Sequence, residues 1–500
     1  QTCALPICPG MILFSVVVLF LCAGILTPKE MLEGFSNKGM ITVALLFLVS
    51  EGIRQSGTLG QVIKKLLPQG KTTVFKAQLR ILPSVAFISA FLNNTPVVVI
   101  FAPIIKHWAK SVNLPATKFL IPLSYVTILG GICTLIGTST NLVVHGMILE
   151  AGFEGFSMFE LGKVGIFIAI AGIIYIFLFS KRLLPDARPD TAVPDEEVEE
   201  GEKLHRVEAV LGARFPGINK KLKDFNFQRH YGAEIKEIKT RNGQRFVTNL
   251  DDVVLHEGDT LVVMADDTFI PTWGESSVFV LLTNGNEPDT SGKKKRWFAL
   301  LLLVLMIVGA TVGELPVTKE MFPDIKLDMF FFVSITTIIM AWTNLFPARK
   351  YTKYISWDIL ITIACAFAIS KAMVNSGVAD SVAKFIIGLS DDYGPHVLLA
   401  MVFIITNLFT ELITNNAAAA LAFPLALSIS AQLGVSPTPF FVVICMAASA
   451  SFSTPIGYQT NLIVQGIGNY KFTDFVRIGL PLNIITFLIS IILIPLIWNF

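Results

Sequence analysis

The feature that most constrains this chain is a repeat within its own sequence. The segment GTSTNLVVHG at 137–146 returns as GYQTNLIVQG at 457–466. We call this alignment, which places Gly137 on Gly457, the repeat register. If the offset between the two halves is made one residue larger, Asn94 falls on Asn415. Because these matches keep the same order at nearly the same spacing, the sequence indicates two homologous halves.

Long apolar runs dominate both halves. The chain is 53% apolar and only 15% charged, whereas soluble proteins carry about 25% charged residues. Most runs approach the roughly 17 to 25 residues that cross a bilayer as a helix. They lie at 11–26, 40–53, 120–136, 164–180, 297–313, 327–346, 357–374, 396–409, 438–452 and 475–498. We therefore expect an all-α polytopic membrane protein. The net charge of +2, with dispersed basic residues, gives no reason to expect a nucleic-acid partner.

Two apolar stretches are interrupted by polar residues. Residues 76–107 are broken at NNTP (93–96), and residues 396–430 at ELITNNA (411–417). Non-helical backbone at membrane depth is tolerated only where protein buries it or where it lines a water-filled cavity. We therefore predict a re-entrant helical hairpin in each half, although a single such break is usually a kink in a spanning helix.

The loop charges predict the orientation. Lys181, Arg182 and the KKKR at 293–296 fall on one side, while Glu150 and Asp391 fall on the other. Since Lys and Arg concentrate in cytoplasmic loops, the first hairpin enters from the cytoplasm and the second from outside. The repeats would then be inverted, which is the layout of secondary transporters. Residues 186–292 would be cytoplasmic and the C-terminus would lie outside.

The expected domain organisation has four parts. They are a first transmembrane repeat at 11–185, an acidic linker at 186–203, a small α/β domain at 204–290 and a second transmembrane repeat at 291–500. The run at 297–313 has no counterpart in the first half. This asymmetry leads us to expect that the N-terminal helix of the first repeat is missing.

The polar block between the halves has the pattern of a small α/β domain. LHRVEAVL (204–211), AEIKEIK (233–239) and DTLVVMAD (259–266) predict strands, FPGINKKLKDF (215–225) predicts a helix, and residues 241–243 a hairpin turn. The succession, most specifically EGDTLVV, resembles the TrkA-C domain, the ligand-binding lobe of potassium-conductance regulators. That resemblance implies a dimerising regulatory module for an unknown small ligand.

Uncharged polar residues recur at matched places in the apolar runs. Around the first break and the first repeated motif lie Ser89, Asn93, Asn94, Thr95, Gly137 and Thr138, and they are matched by Thr410, Thr414, Asn415, Asn416, Gly457 and Tyr458. Hydroxyl, amide and carbonyl oxygens are the ligands that hard cations prefer, so two sets suggest two sodium sites. Helix N-termini after each break can hold an anion. Alternatively, such groups bond neighbouring helices together.

Glu411 is the most notable acid within an apolar run, and its repeat partner is Ala90. An intramembrane acid is a functional candidate by default, but a fixed structural hydrogen bond is an equal alternative. The chain has no nucleophile elbow, P-loop, HExxH or GxGxxG motif, and no CxxC pair. The sequence therefore predicts no enzyme.

With NNTP, TELITNNAAAA, GTSTN and GYQTN in place, the membrane part resembles the divalent anion:sodium symporter family, in the subgroup with an inserted TrkA-C domain. The resemblance implies a homodimer in which a transport domain moves as an elevator against scaffold helices. It also implies binding residues. One sodium would be held by Ser89, Asn93, Asn94 and the carbonyl of Gly137; the second by Thr410, the carbonyl of Ile413, Thr414, Asn415 and the carbonyl of Gly457; and the substrate by Asn94, Thr95, Thr138, Asn415, Asn416 and Tyr458.

The chain departs from the family motif at Tyr458, where the resemblance leads us to expect a threonine. This departure argues against a dicarboxylate. The resemblance to the subgroup with an inserted TrkA-C domain implies sulfate or a similar small dianion as the substrate of a sodium-coupled symporter in the cell inner membrane. Three alternatives remain. They are sodium-coupled di- or tricarboxylate uptake, a sodium:proton antiporter in which Glu411 titrates, and a TrkA-C-gated channel-like or sensory membrane protein.

Overall fold

The computed structural model describes most of the chain. The described residues are 9–68, 70–186, 205–212, 215–240, 244–266, 269, 273, 278–283, 293–322, 324–388 and 394–500. Seven described helices are long and apolar enough to cross a membrane: Pro28–Gln55, Gly162–Leu183, Lys294–Gly313, Trp357–Asn375, Gly394–Leu412, Asn415–Leu433 and Phe472–Ile497. The expected polytopic, mostly helical architecture is confirmed.

Nine described α-helices form the first half. They are α1 (Pro9–Cys22), α2 (Pro28–Glu33), α3 (Lys38–Gln55), α4 (Thr58–Leu66), α5 (Val74–Ser89), α6 (Asn94–Ser111), α7 (Leu120–Gly131), α8 (Ser139–Glu150) and α9 (Gly162–Leu183). Helices α5 and α6 are separated only by residues 90–93, so the chain turns back at the predicted break. Pro96, which has no N–H to leave unsatisfied, lies in the first turn of α6.

The described part of the inserted domain contains a five-stranded sheet. Its strands are β1 (His205–Leu211), β2 (Glu234–Lys239), β3 (Arg245–Phe246), β4 (Thr260–Ala265) and β5 (Phe279–Thr283). They pair antiparallel in the order β3-β2-β4-β1-β5. The three predicted strands are present. The sheet packs on a cluster of aromatic side chains that includes Phe215, Phe225, Tyr231 and Phe279.

The predicted helix at 215–225 is wrong. Asn219 has a left-handed φ of 61°, which interrupts helical backbone, and only Leu222–Asp224 forms a 3-10 turn. The α-helix of this region, α10, lies further along at Phe227–Tyr231, where the Asn226 side chain accepts a hydrogen bond from the Arg229 N–H. The predicted turn at 241–243 lies outside the described residues, although β2 and β3, which flank it, are paired.

The second half begins with two helices that have no counterpart among the described helices of the first, and then repeats the order of those nine helices. It contains α11 (Lys293–Gly313), α12 (Pro316–Met321), α13 (Met329–Trp342), α14 (Tyr351–Tyr354), α15 (Trp357–Asn375), α16 (Val378–Gly388), α17 (Gly394–Leu412), α18 (Asn415–Leu433), α19 (Thr438–Ser449), α20 (Gln459–Gly468) and α21 (Phe472–Ile497). Helices α11 and α12 are the two without a counterpart, and the repeated order starts at α13. In the repeat register α13 begins opposite the first residue of α1, and both helices have 14 residues. Helix α20 likewise begins opposite the first residue of α8. The second hairpin, α17 and α18, turns at residues 413–414.

The outer ends of the two hairpins have different neighbours. In the first hairpin, Trp108 donates to the carbonyl of Pro68, and Gln78 donates to the carbonyl of Lys118. In the second, His396 packs its ring on Phe500. Trp498, close to that terminus, donates to Glu160. Gln78 also donates to Ser180 Oγ at 3.0 Å, near the end of α9. The first hairpin is thus anchored beside the end of α9 that leads to the inserted domain, and the second beside the C-terminus.

The inserted domain docks on helices of both halves. Lys106 of α6 lies 2.8 and 2.9 Å from the carboxylate oxygens of Glu208 on β1, and both side chains are about 20% exposed. Lys239 lies 3.6 Å from the same carboxylate. On α20, Gly466 approaches Thr260 and the carbonyl of Gly258 so closely that a methyl group there would lie 2.8 and 3.1 Å from these oxygens. The domain therefore packs directly on α6 and α20.

Burial by itself would raise the pKa of Glu208, but Lys106 and Lys239 outweigh it and hold the pKa at about 2, below its ordinary 4.5. A group whose pKa is depressed by folding stabilises the fold above its unfolded pKa. This contribution is therefore present above about pH 4.5 and is lost as the pH falls towards 2.

We expect Lys106→Gln and Glu208→Gln each to lower the midpoint of thermal unfolding of the full chain in detergent. Breaking a buried ion pair by removing one partner costs about 3–5 kcal/mol, and the double variant should lose less than the sum of the two single losses because the partners interact. The exposed pair Lys221 and Asp252, at 44% and 68% exposure, is the control, and its removal should leave the midpoint nearly unchanged because solvent screens exposed ion pairs. Additive losses at Lys106 and Glu208 would contradict the contact.

Candidate functional site

Asn94 is the first residue of α6, and hydrogen bonds hold both the oxygen and the nitrogen of its side-chain amide. Its Oδ1 accepts a hydrogen bond from Ser89 Oγ at 2.8 Å, and its Nδ2 donates to Tyr458 Oη at 2.8 Å. Ser89 ends α5, so this bond closes the turn of the first hairpin. Asn94 is 1% exposed and Ser89 is fully buried.

Asn415 repeats this arrangement in the second half. Its Oδ1 accepts from Thr410 Oγ1 at 2.9 Å, and its side chain lies beside the hydroxyl of Tyr458. Each hairpin tip thus carries an asparagine that points its oxygen at a hydroxyl of its own half and lies next to the hydroxyl of Tyr458.

Further contacts join the two halves reciprocally. Thr138 and Tyr458, which match in the repeat register, lie with their hydroxyl oxygens 3.1 Å apart. Asn416 Oδ1 accepts from Ser139 and Thr140 at 3.2 Å each, and Thr95 donates to Gln459 at 3.3 Å. These bonds bring together the N-termini of α6, α8, α18 and α20. Equivalent residues can touch one another only at the interface of a repeat, so this junction lies at that interface.

The junction suits an anion without any formal positive charge. Asn94, Thr138, Asn415, Asn416 and Tyr458 are each at most 8% exposed, and their hydrogen bonds described above involve only neutral groups. The N-terminal N–H groups of a helix lack intrahelical partners and carry a partial positive charge. Four such ends, together with two amide donors, can therefore bind an anion in the way that single helix N-termini bind phosphate.

A cluster of oxygens lies behind Asn94. A methyl group on Gly131 would lie 2.7 Å from Asn94 Oδ1 and 3.1 Å from the carbonyl oxygen of Gly137, and a methyl on Gly137 would lie 2.5 Å from the carbonyl oxygen of Gly131. The turn that carries Gly137 is fixed by Thr134, which donates to the carbonyl of Ala90 and accepts from the N–H of Gly137. Together with Ser89 Oγ, these are hard oxygen ligands of the kind that a small cation prefers.

The second half has a matching cluster behind Asn415. Ser451 Oγ donates to the carbonyl of Thr410 at 3.3 Å, and a methyl on Gly457 would collide with both groups. Thr454 again fixes the turn, since it donates to the carbonyl of Glu411 and accepts from the N–H of Gly457. No group of three or more His, Cys, Asp and Glu among the described residues is placed to hold a metal ion. One carboxylate borders this second cluster, since Glu411 Oε2 lies 3.5 Å from Ser451 Oγ.

Some predicted site residues lie apart from these clusters. Asn93 lines a small cavity with Ser50 of α3 and Ser139, and no described hydrogen bond joins its side chain to Ser89 or Asn94. Ile413 and Thr414 form the turn of the second hairpin, where the Ile413 side chain is 37% exposed and the Thr414 carbonyl accepts from the Ala418 N–H at 2.9 Å. Their roles as sodium ligands stay predictions.

The sequence analysis missed Ser139, Gln459, Ser451 and Asn483. The repeat register could have found Ser451, which matches Gly131 beside the first oxygen cluster, and could have paired Ser139 with Gln459. Asn483 of α21 gives no such signal, because its contacts depend on the packing of α21 against the loop at 450–458.

Glu411 is held by hydrogen bonds at the end of α17. Its Oε1 accepts from the N–H of Ser453 at 2.9 Å and from Asn483 Nδ2 at 2.7 Å. Asn483 Nδ2 also lies 2.9 Å from Ser453 Oγ. The carboxylate thus ties the tip of the second hairpin to the loop before α20 and to α21, which favours the structural alternative.

For Glu411→Gln we expect near wild-type thermal stability, because the amide oxygen can still accept from Ser453 and Asn483. Glu411→Leu removes the acceptor of the Ser453 N–H and leaves Asn483 Nδ2 only its bond to Ser453 Oγ. An unpaired buried donor costs about 1–3 kcal/mol, so this variant should lower the unfolding midpoint clearly. Thermal unfolding in detergent measures both. Equal losses in the two variants would show that the charge, rather than the hydrogen bonds, supports the fold.

Comparison with known proteins gives a consistent result. The sequence matches the citrate transporter family (CitMHS) over residues 6–434 and again over 325–499. It is 30% identical to an uncharacterized transporter of Synechocystis, across 99% of this chain and 94% of that protein. It is 28% identical to a putative sulfur deprivation response regulator of Chlamydomonas reinhardtii, across 96% of both chains. A probable sodium/sulfate cotransporter of the same alga is 23% identical, across 95% of this chain and 84% of the relative.

Proposed function

Because the chain belongs to the citrate transporter family, and is thus a multi-pass membrane transporter, we propose that it is a sodium-coupled symporter of a small divalent anion, with sulfate as the first choice. The observation that carries this proposal is the pair of asparagines at the hairpin tips. Asn94 and Asn415 each accept a hydrogen bond through their side-chain oxygen from a hydroxyl of their own half, while the Asn94 amide donates to Tyr458 and Asn415 lies beside the same hydroxyl. One side chain can therefore serve a cation and an anion together.

Coupling follows from this double role. A sodium ion against Oδ1 draws electron density from the amide, which makes its N–H a stronger donor, and fixes the side chain with the N–H aimed at the junction. An anion at the junction favours the same orientation, so each ligand increases the affinity for the other by the same factor. In the first cluster the ion would meet Ser89, Asn94 and the carbonyl of Gly137; in the second Thr410, Asn415 and the carbonyl of Gly457.

The choice of sulfate is supported by relatives and by the residues of the junction. Chlamydomonas relatives carry the names sodium/sulfate cotransporter 1 and 2, at 30% and 31% identity over 56% of this chain. The junction contains amides, hydroxyls and helix N-termini but no Lys or Arg among its described hydrogen bonds. Citrate is the second candidate, because the matching family is described as citrate transporters.

The alternating movement would use the repeat. The contacts of the two hairpins support opposite directions of entry, since Trp108 and Gln78 anchor the first beside residues 68 and 118, whereas His396 anchors the second beside Phe500. Inverted halves with broken helices are typical of carriers whose site is exposed to each side in turn. An elevator motion, a homodimer, a cell inner membrane location and a cytoplasmic, TrkA-C-like inserted domain complete the proposal.

The rival functions have less support. In a sodium:proton antiporter Glu411 would titrate, yet its carboxylate already accepts from Ser453 and Asn483. A channel or sensor would not need a reciprocal junction between two repeats. Sodium-driven acidification of vesicles without any anion would favour the antiporter, and passive currents that do not respond to sodium would favour the channel.

We expect Asn94→Ala and Asn415→Ala each to abolish sodium-dependent uptake of labelled sulfate into proteoliposomes, because each removes one amide donor and one cation ligand. Asn375→Ala is the matched control, since that amide bonds Glu30 and the carbonyl of Ile25 away from the junction. Wild-type uptake in both tip variants would make the site assignment wrong. Sodium-driven uptake of citrate but not sulfate by the unaltered protein would select the second candidate.

The sodium clusters have a separate test. Thr410→Val keeps the shape of the side chain but removes the hydroxyl, and the loss of one ligand worth about 1.4 kcal/mol raises the sodium concentration for half-maximal uptake about tenfold. Thr406→Val is the control one turn earlier on α17, where the described hydrogen bond of a fully buried hydroxyl goes to the carbonyl of Val402. A change of equal size in both variants would argue against a cation beside Asn415.

A further inference from the structure

Tyr458 occupies the centre of the junction. Its hydroxyl accepts from Asn94 of the first tip and lies 3.1 Å from the hydroxyl of Thr138, its own repeat equivalent, with Asn415 of the second tip beside it. Both Thr138 and Tyr458 are the residues directly before a helix, α8 and α20, with extended backbone in each case. The backbone geometry is thus alike in the two halves, while the side chains differ by a whole phenol ring.

The ring takes space that the other half leaves open. Tyr458 is 8% exposed and reaches across to Asn94, which is 1% exposed, so the phenol lies between the hairpin tips. Its hydroxyl oxygen accepts from Asn94 Nδ2 and stands where an oxygen of a bound anion would meet the tip amides. The phenol O–H has one proton of its own to donate. An anion that binds here must therefore share the donors with Tyr458 and fit beside its ring.

We propose that Tyr458 sets the size of the anion that this carrier accepts, so that a compact tetrahedral oxyanion fits and an extended dicarboxylate or citrate does not. The inference rests on the proposed anion transport and adds the residue that decides among its substrates. A four-oxygen dianion can receive both tip amides and the phenol O–H through oxygens on one small atom. An extended dicarboxylate needs a second space, which a threonine at this position would leave and the phenol ring fills.

The test compares Tyr458→Thr, which copies the residue of the other half, with Tyr458→Phe, which keeps the ring and removes only the hydroxyl. The readout is sodium-driven uptake of labelled sulfate and of labelled succinate into proteoliposomes, expressed as the ratio of the two rates. Wild type and Tyr458→Phe should favour sulfate at least tenfold. In Tyr458→Thr the preference should fall to within about threefold of unity through a gain of succinate uptake.

Three results would overturn the inference. They are a Tyr458→Thr variant that keeps the wild-type ratio, a Tyr458→Phe variant that loses the preference as fully as Tyr458→Thr, and wild-type protein that takes up succinate as fast as sulfate. Binding keeps the test decisive if Tyr458→Thr does not transport. Succinate should then raise the unfolding midpoint of Tyr458→Thr but not that of wild type. If succinate does not raise the midpoint of Tyr458→Thr, the inference is overturned. Wild-type protein that takes up no anion with sodium would instead refute the proposed function.

Discussion

The interaction on which the rest of the structure depends is the hydrogen bond from the Asn94 amide of the first half to the Tyr458 hydroxyl of the second. Asn94 and Asn415 come from hairpins in opposite halves of the chain, and both lie beside Tyr458 only because each half holds its own tip in place. Ser89 and Thr410 provide that hold through bonds of 2.8 and 2.9 Å to the amide oxygens. Buried polar groups without partners are costly, so a displacement of either tip leaves donors unpaired on both sides.

This dependence explains why the surroundings are built from small residues. Gly131 and Gly137 in the first half, and Gly457 in the second, stand where a side chain would press on the oxygens behind each asparagine. Thr134 and Thr454 fix the turns that carry Gly137 and Gly457 by the same pair of bonds. The two halves thus share the same backbone turn, while their side chains differ: Ser451 replaces Gly131 and Tyr458 replaces Thr138.

The sequence predicts the parts that follow from local pattern and from the repeat. Apolar length predicts spanning helices. The repeat register pairs Thr138 with Tyr458, and an offset one residue larger pairs Asn94 with Asn415, so the internal repeat predicts both hairpin turns and most of the junction. What depends on packing between distant segments is missed. The Lys106 contact with Glu208 joins residues 102 positions apart, and Asn483 reaches Glu411 from another helix. The helix expected at 215–225 fails because a single left-handed residue, Asn219, outweighs the local apolar spacing.

The docking of the inserted domain gives its sheet a mechanical connection to the buried junction. Lys106 lies three turns and more along α6 from Asn94, or about 18 Å of helix at about 1.5 Å per residue, and α20 runs from Tyr458 to the glycine that abuts β4. Helices α6 and α20 thus connect the junction at one end to the sheet at the other, with Pro103 as the point where α6 bends most readily. If the tips shift along the membrane normal, either the sheet moves with them or the ion pair between Lys106 and Glu208 breaks.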